Sequence, residues 1–506
     1  MIREATGKKD NKKVSTLKLF VFNLLFVAIA FGGFVFCKHY SSDDFYCFYN
    51  QRGEAYAVTY YSYRVVLGAI YYVLNLIGFN VVKYQVVMGI CMLLCFSGAV
   101  TLTTMMISEL VDTRDNTWIF AVNIGSLMLI INVFVSEWIW FALAYLQWGL
   151  SILFAVISAI FIMKPGKKCY IFSMFCLIIV AGCYQNVLSI YVFLVMTFIY
   201  IKEKGCITKK SIIKTVQAAI ASVVAIMVNV LLTKILIRFG FGENASRVHI
   251  ELNDYIKKLF MVLKDEILVL KNGKGLLPEY ILIIFFIMYI VVLSAYLISQ
   301  REKKKIIFLI IIIGAGNLVR WLPLFMQGNV YQPARMLVPF MGNFVVLHFL
   351  LLSYIKNKRI YAIIIMSLIL LGINFVGIQV NTIDCIKTVA IQENEMFTIK
   401  LYIEDYEKKN NIQINKVIIA GDEDPTYKYY SMLLNKKYNG EMATRSLLVS
   451  WSDLEILKFY TGRQFEKIEK EKCDFQNYFE KKDYSYFSPA SQIKFLDDGT
   501  AFIYVY

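Results

Sequence analysis

The sequence predicts a mainly α-helical, polytopic membrane protein with about 11 transmembrane helices and a small C-terminal extracytoplasmic α/β domain. Hydrophobic residues make up 58% of the 506 residues, and charged residues make up only 18%. Apolar runs of roughly 20 residues recur along most of the chain, and each is long enough to cross the ~30 Å hydrocarbon core of a bilayer. After residue 380 the composition changes, because acids and bases mix and the apolar runs shorten.

The net charge of +16 is explained by membrane topology. Lys and Arg lie in short clusters between the apolar runs, which is the pattern of cytoplasmic loops under the positive-inside rule. We therefore expect no nucleic-acid partner. The ten cysteines form no CxxC pair, and His39, His249 and His348 form no cluster, so the sequence indicates no transition-metal site.

A topology with the N-terminus inside and the C-terminus outside places every basic cluster on one face. Residues 170–201 are long for one helix, and we split them at GCYQN (182–186) because one span would put the later basic loops on the wrong side. The predicted spans are 17–36, 81–107, 118–135, 143–163, two short spans within 170–201, 213–237, 279–298, 306–323, 336–354 and 360–379.

The chain divides into a predicted transmembrane domain, residues 1–380, and a predicted C-terminal domain, residues 381–506. The first external loop, 37–80, includes an apolar stretch at 65–79 that is too short to span comfortably and is expected at the interface. In the C-terminal domain, KVIIAGDEDP (416–425) is typical of a strand entering a turn, and AFIYVY of a final strand. TRSLLVSWSDLEILKFY between them predicts a strand followed by a helix.

Polar and charged residues collect in the loops that are predicted to face outward. Ionisable groups at a bilayer edge are costly unless they face a protein interior or a water-filled cavity. Because these residues belong to several loops on one side of the membrane, we predict a single polar cavity under the C-terminal domain. They are Asp43, Asp44 and Arg64 in the first external loop, Glu137, Trp138 and Trp140 in the second, Gln185 and Asn186 in the third, Asn244 and Arg247 after the seventh span, and Gln332 and Arg335 before the tenth.

The residue types in these loops suit sugar transfer. A carboxylate can act as general base toward a sugar hydroxyl, or can hold a divalent ion. Arginine guanidinium groups bind phosphate oxygens, and aromatic faces stack on sugar rings. Simpler explanations stay open for each type: an acid in a solvated loop, a tryptophan anchor at the headgroup level, and amides that satisfy the backbone of a broken helix.

Six short motifs carry a resemblance to a known family: SSDDFY after the first span, YYSYR, SEWIWFALAYLQW, AGCYQN, FGENASR and YQPAR. With these motifs the chain resembles the GT-C superfamily of polytopic membrane glycosyltransferases, and most closely its bacterial branch of serotype-converting glucosyltransferases. The resemblance implies that an acid in the first external loop is the catalytic residue or its metal-holding equivalent, and that the donor is a polyprenyl-phosphate-linked sugar. It also implies a glycan, lipid-linked glycan or protein acceptor on the outer face.

We therefore expect an inverting glycosyltransferase in a bacterial cytoplasmic membrane, with its active site on the extracytoplasmic face. It would move a sugar, with glucose as the first candidate, to a cell-surface polysaccharide or lipid-linked glycan. Asp43 or Asp44 would act as base with Glu137 assisting, and Arg335 or Arg247 would hold the donor phosphate. No soluble cofactor is required, and a divalent ion (Mg²⁺ or Mn²⁺) is optional. The alternatives are a transporter or flippase of a lipid-linked sugar and a catalytically inactive, envelope-glycan-binding relative.

Overall fold

The computed structural model describes residues 15–49, 63–111, 115–240, 254–299, 303–325, 330–355, 359–421, 442, 445–469, 478–479, 487–496 and 498–505. Most of the described chain is helical, because a backbone in lipid must satisfy its own polar groups and a helix does so within one segment. The helices up to residue 272 are α1 (Thr16–Phe36), α2 (Ser42–Tyr49), α3 (Val65–Leu76), α4 (Gln85–Leu110), α5 (Asn116–Ile130), α6 (Val135–Trp140), α7 (Tyr145–Met163), α8 (Lys167–Cys183), α9 (Leu188–Lys202), α10 (Lys209–Arg238) and α11 (Tyr255–Asn272).

The remaining helices are α12 (Ile281–Ser299), α13 (Lys303–Phe325), α14 (Gly342–Tyr354), α15 (Ile360–Asn410), α16 (Asp453–Thr461) and α17 (Pro489–Gln492). Short 3-10 turns join several of them. These turns cover Ala142–Ala144, Gln185–Val187, Gly273–Gly275, Ala334–Met336, Val338–Met341 and Ser446–Leu448.

Within the described chain, eight helical segments are long and apolar enough to cross a membrane. They confirm a mainly α-helical, multi-pass protein. Each of the 11 predicted spans overlaps a helix, but α5, α8 and α14 are shorter than the eight, so the number eleven stays a prediction. The eight segments are Thr16–Phe36, Gln85–Leu110, Ala142–Met163, Gln185–Lys202, Lys209–Arg238, Ile281–Ile298, Lys305–Phe325 and Ile360–Asn410.

Helix α15 joins the membrane part to the C-terminal part without a break. It has 51 residues, which at 1.5 Å per residue is about 77 Å, far more than the thickness of a bilayer core. The proposed boundary between residues 380 and 381 falls inside this helix. Its last turns bury Met396, Ile399 and Ile403 in a hydrophobic core that they share with the C-terminal strands.

Among the described residues of the C-terminal part, four strands form a sheet in the order β2-β1-β4-β3. The strands are β1 (Lys416–Gly421), β2 (Glu466–Lys467), β3 (Ile493–Leu496) and β4 (Thr500–Val505). Strand β1 pairs in parallel with β2 and β4, and β3 pairs antiparallel with β4. The predicted strands at 416–425 and at the chain end are present as β1 and β4. The strand expected before α16 is replaced by the 3-10 turn at Ser446–Leu448.

The short helix α2 packs against both parts of the protein. Its Phe45 is buried in the C-terminal hydrophobic core, and Tyr40 just before it contacts the same core. Its Cys47 is buried in the core of the membrane helices. Helix α2 carries Asp43 and Asp44, so these two acids lie where the membrane part and the C-terminal part meet.

Candidate active site

Asp44 is fully buried and saturated with hydrogen bonds. Its Oδ2 accepts from the backbone N–H of Ser41 (2.8 Å), the Ser41 hydroxyl (2.7 Å) and the N–H of Ala142 (3.2 Å). Its Oδ1 accepts from the N–H of Leu143 at 2.7 Å. Burial raises the pKa of the Asp44 carboxyl, and the bonds from Ser41 and Leu143 act in the opposite direction. Asp44 therefore ties the start of α2 to the 3-10 turn at Ala142–Ala144.

Asp43 has different surroundings, because consecutive residues of a helix point about 100° apart. It is partly exposed, and its Oδ1 accepts a hydrogen bond from the indole Nε1 of Trp451 at 3.0 Å. Trp451 belongs to the C-terminal part, 408 positions away. The two neighbouring acids thus differ: Asp44 is buried and links two segments of the chain, whereas Asp43 lies at the surface.

Arg64 precedes α3 and lies partly buried near Asp43. Its Nη1 donates to Oε1 of Gln147 at 3.1 Å, and its guanidinium carbon lies 5.4 Å from the centre of the Tyr184 ring. Its buried Nε has no hydrogen-bond partner. The carboxylate of Asp43 raises the pKa of Arg64, whereas burial, the largest effect, and the charge of Arg335 lower it. Among the described residues, Arg64 makes no ion pair.

A second guanidinium, that of Arg335, is held by Glu137. Glu137 is fully buried in α6, and its Oε1 lies 2.5 Å from Nη1 of Arg335. Its Oε2 also accepts from the backbone N–H of Arg335 at 3.3 Å. The guanidinium lies 5.1 Å from the centre of the Phe141 ring. The guanidinium of Arg64 lies over the Tyr184 ring, and that ring lies 6.0 Å from the ring of Trp138, which binds the carbonyl of Arg335, so the two arginines lie in the same region.

Trp138 and Trp140 are buried, so both rings pack inside the protein in this structure. The Nε1 of Trp138 donates to the carbonyl of Arg335 at 2.7 Å, and its ring stacks on Trp148 at 4.6 Å. Trp140 stacks on the buried His39 at 5.6 Å. These contacts fix α6 and the backbone of Arg335, which makes the two tryptophans supports of the site.

The backbone before Arg64 is held in an uncommon conformation. Tyr63 has a φ of 57°, in the left-handed region that few residues other than glycine adopt. Its carbonyl accepts from Nε2 of Gln185 (2.6 Å) and from Nδ2 of Asn229 (2.8 Å). Asn186 donates to the carbonyl of Met336 at 2.7 Å. Gln185 and Asn186 therefore hold the chain segments that carry Arg64 and Arg335.

Gly182 allows α8 to approach the start of α3. A Cβ at this position would lie 2.4 Å from Cγ2 and 3.1 Å from the backbone nitrogen of Val66. Val66 is two residues after Arg64. The absence of a side chain at Gly182 thus sets the position of the helix that presents Arg64.

Gln332 takes part in a separate polar cluster. Its Nε2 donates to Oε1 of Glu266 at 3.3 Å, and the same carboxylate pairs with Arg320 at 2.8 Å. The backbone carbonyl of Gln332 accepts from Lys274 at 2.5 Å, and Lys274 also pairs with Asp265. The structure thus connects Gln332 to α11 and α13, and connects Arg335 to Glu137. Asn244 and Arg247 lie outside the described residues.

Several residues of these clusters were not predicted from the sequence. Arg320 had a usable signal, because a charged residue within a predicted span is rare and usually functional. Tyr184 lies in the motif GCYQN, but nothing in the sequence relates it to Arg64. Gln147 lies in the motif SEWIWFALAYLQW, but nothing in the sequence relates it to Arg64 or relates Trp451 to Asp43, since these partners are 83 and 408 positions away.

Comparison with known proteins identifies the family. A search of curated proteins found no match, and a search of solved structures found none either. The family model described as glucosyl transferase GtrII matches residues 32–352, which is well over half of the chain. The matched range includes Asp43, Arg64, Glu137 and Arg335, and it ends before the C-terminal sheet. The chain therefore belongs to the glucosyl transferase GtrII family, and it is a multi-pass membrane glycosyltransferase.

Proposed function

We propose that this protein is an inverting glycosyltransferase of GT-C type that uses a polyprenyl-phosphate-linked sugar. It transfers the sugar, with glucose as the first candidate, to a surface polysaccharide or lipid-linked glycan at the outer face of the bacterial cytoplasmic membrane. The observation that carries this proposal is Arg64. It is a partly buried guanidinium beside Asp43 and Arg335, with no ion pair among the described residues and an unpartnered Nε.

Two neighbouring guanidinium groups favour an anionic ligand. The charge of Arg335 lowers the pKa of Arg64, so the interaction between the two cations is unfavourable, and the buried acid Glu137 pairs with Arg335. A phosphate between them would relieve this repulsion and supply the acceptor that the Nε of Arg64 lacks. Arginine binds phosphate oxygens through several N–H groups at once. A phosphodiester-linked sugar donor provides such a group.

Transfer would proceed by a single displacement. The Asp43 carboxylate takes the proton of an acceptor hydroxyl as its oxygen bonds to the anomeric carbon, and the bond from that carbon to the phosphate oxygen breaks. The polyprenyl phosphate leaves with the electron pair of the broken bond. Arg64 and Arg335 stabilise the negative charge that develops on it. The proton remains on Asp43, and the anomeric configuration inverts.

The other residues of the site would position these groups. Glu137 orients Arg335 through a buried ion pair, and Trp138 fixes the backbone of the same arginine. Asp44 is engaged with four donors, so we assign it a structural role. The two arginines supply positive charge at the leaving phosphate, so no soluble cofactor is required and a divalent ion is optional.

The orientation of the protein follows from its basic loops. Clusters of Lys and Arg mark the cytoplasmic side, so the loops with Asp43, Arg64, Glu137 and Arg335 face outward. A polyprenyl chain would lie among the lipids, with its sugar phosphate reaching the site at the outer interface. The acceptor would come from the aqueous side.

The donor class can be tested in proteoliposomes that contain the purified protein. Polyprenyl-phosphate-linked radiolabelled hexoses, glucose first, are supplied with a crude surface-glycan extract, and nucleotide-linked forms of the same hexoses are supplied in parallel. We expect label in the glycan from a lipid donor and none from the nucleotide donors. Efficient transfer from a nucleotide sugar without lipid, or no consumption of any lipid donor, would overturn the proposal.

A further inference from the structure

Trp451 places an aromatic ring from the C-terminal part directly beside Asp43. Its Nε1 donates to Oδ1 of Asp43 at 3.0 Å, while 52% of the residue remains exposed. An indole has only this one N–H donor, on its edge. The Nε1 edge of the ring therefore contacts Asp43, and about half of the residue is open to solvent.

The turn that carries Trp451 is rigidly built. The buried hydroxyl of Ser452 donates to the carbonyl of Ser446 at 2.6 Å, and the N–H groups of Ser452 and Asp453 donate to the carbonyl of Val449. Arg445, at the start of this turn, is buried and pairs with Glu395 of α15 at 2.5 Å. Trp451 is thus held on a fixed base.

An aromatic cluster keeps this base against α2. The ring of Phe459 in α16 lies 5.1 Å from Tyr40, 5.4 Å from Phe45 and 5.2 Å from Phe48, measured between ring centres. Such tilted and edge-to-face contacts are favourable for aromatic pairs. They fix α16, and with it Trp451, relative to the helix that carries Asp43.

This arrangement suits a carbohydrate. A sugar ring has an apolar face of C–H groups that packs on an indole, and a rim of hydroxyl groups that need hydrogen-bond acceptors. An ionised carboxylate offers about four acceptor positions. Because the Nε1 of Trp451 donates to Asp43, a sugar that lies on the indole has its hydroxyl groups next to that carboxylate.

We propose that the exposed face of Trp451 is a subsite for the acceptor glycan, which lays one sugar ring on the indole with its reacting hydroxyl at Asp43. This inference rests on the proposed function and adds which part of the chain selects the acceptor. Trp451 lies beyond residues 32–352, the range that matches the family. In this proposal, the residues that bind the donor lie within the range that matches the family, and the residue that binds the acceptor glycan lies in the C-terminal part.

Steady-state transfer by Trp451→Ala and Trp451→Phe tests the subsite. Surface glycan from the expressing cells is varied as total hexose, and the lipid donor is then varied separately. We expect Trp451→Ala to raise the acceptor KM about tenfold or more, since loss of a well-packed aromatic contact exceeds 1.4 kcal/mol. Trp451→Phe keeps an apolar face and should raise it less. The donor KM should stay within about twofold in both variants, since neither change touches the phosphate contacts.

Phe239→Ala serves as the matched control, because Phe239 is an exposed aromatic residue at the end of α10. It should leave both KM values unchanged. If wild type transfers sugar and Trp451→Ala keeps the wild-type acceptor KM, the subsite is refuted and the glycosyltransferase proposal stands. An equal rise in donor KM, or a loss of thermal stability with no change in KM, would refute it in favour of a structural role. Failure of wild type to use the lipid donor would refute the proposed function itself.

Discussion

At the scale of single residues, the environment of a carboxylate decides what it can do. Asp44 accepts four hydrogen bonds in a buried position, and burial raises its pKa to about 6. Its lone pairs are committed to holding α2 against the turn after α6. Asp43 is partly exposed, and its Oδ1 accepts a hydrogen bond from Trp451 at the surface. A general base needs this kind of access to the proton it removes.

Arg64 gives the first prediction at this scale. In the proposed site Arg64 binds the donor phosphate, so Arg64→Gln would remove a charge-assisted contact that is typically worth about 1.5–3 kcal/mol. We therefore expect kcat/KM for the lipid donor to fall roughly 10- to 100-fold. Arg64→Lys should recover part of the loss, because lysine keeps the charge but not the planar fork. The measurement is initial rate against donor concentration in proteoliposomes.

Arg238→Gln is the control for this prediction. Arg238 is an exposed arginine at the end of α10 and takes part in none of the site contacts described above, so its replacement removes the same charge without removing one of them. It should leave kcat/KM for the donor within about twofold of wild type. A wild-type kcat/KM in Arg64→Gln would show that Arg64 does not bind the donor.

At the scale of helices, the site depends on how closely α8 and α3 pack. Replacing Gly182 with Ala places a methyl group 2.4 Å from the side chain of Val66 and 3.1 Å from its backbone nitrogen. One helix must move, and such overpacking typically costs about 1–3 kcal/mol. We expect a lower unfolding temperature in detergent. We also expect lower donor kcat/KM, because α3 presents Arg64.

The control for the helix contact is Gly372→Ala in α15. An added Cβ there meets nothing within 4 Å. Since alanine favours a helix over glycine by about 1 kcal/mol, this variant should be as stable as wild type or more stable, with unchanged activity. An unfolding temperature for Gly182→Ala equal to that of wild type would contradict the role we give to this contact.

Helices were the most predictable elements. The backbone of a long apolar run in lipid satisfies its own hydrogen bonds by forming a helix. Each predicted span accordingly overlaps a helix. The length of α15 was not predictable, because its polar second half, after residue 380, is helical through contacts with the C-terminal sheet. The expected strand near residue 446 is a 3-10 turn for a similar reason. Its neighbour Arg445 is bound by Glu395 of α15, a long-range contact that local sequence does not encode.

At the scale of the whole molecule, the sequence predicts a common membrane side for several polar residues but not the contacts that they make. The positive-inside rule alone predicts one side for Asp43, Arg64, Glu137 and Arg335. Their pairings join residues far apart in the chain: Glu137 and Arg335 are 198 positions apart, and Asp43 and Trp451 are 408 apart. Only packing of the complete chain decides such contacts. The same holds for the burial of Trp138 and Trp140, which local sequence equally suggests as surface aromatics.

In the proposed reaction, Asp43 is the base of the lipid-linked sugar transfer and Asp44 has a structural role. The most direct test measures transfer by Asp43→Asn and Asp44→Asn from the lipid donor, together with donor binding and unfolding temperature. We predict that Asp43→Asn binds donor and melts like wild type but transfers about 10²- to 10⁴-fold more slowly. Asp44→Asn should melt at a lower temperature, because an amide cannot accept all four bonds. Near-normal transfer by Asp43→Asn would contradict the account.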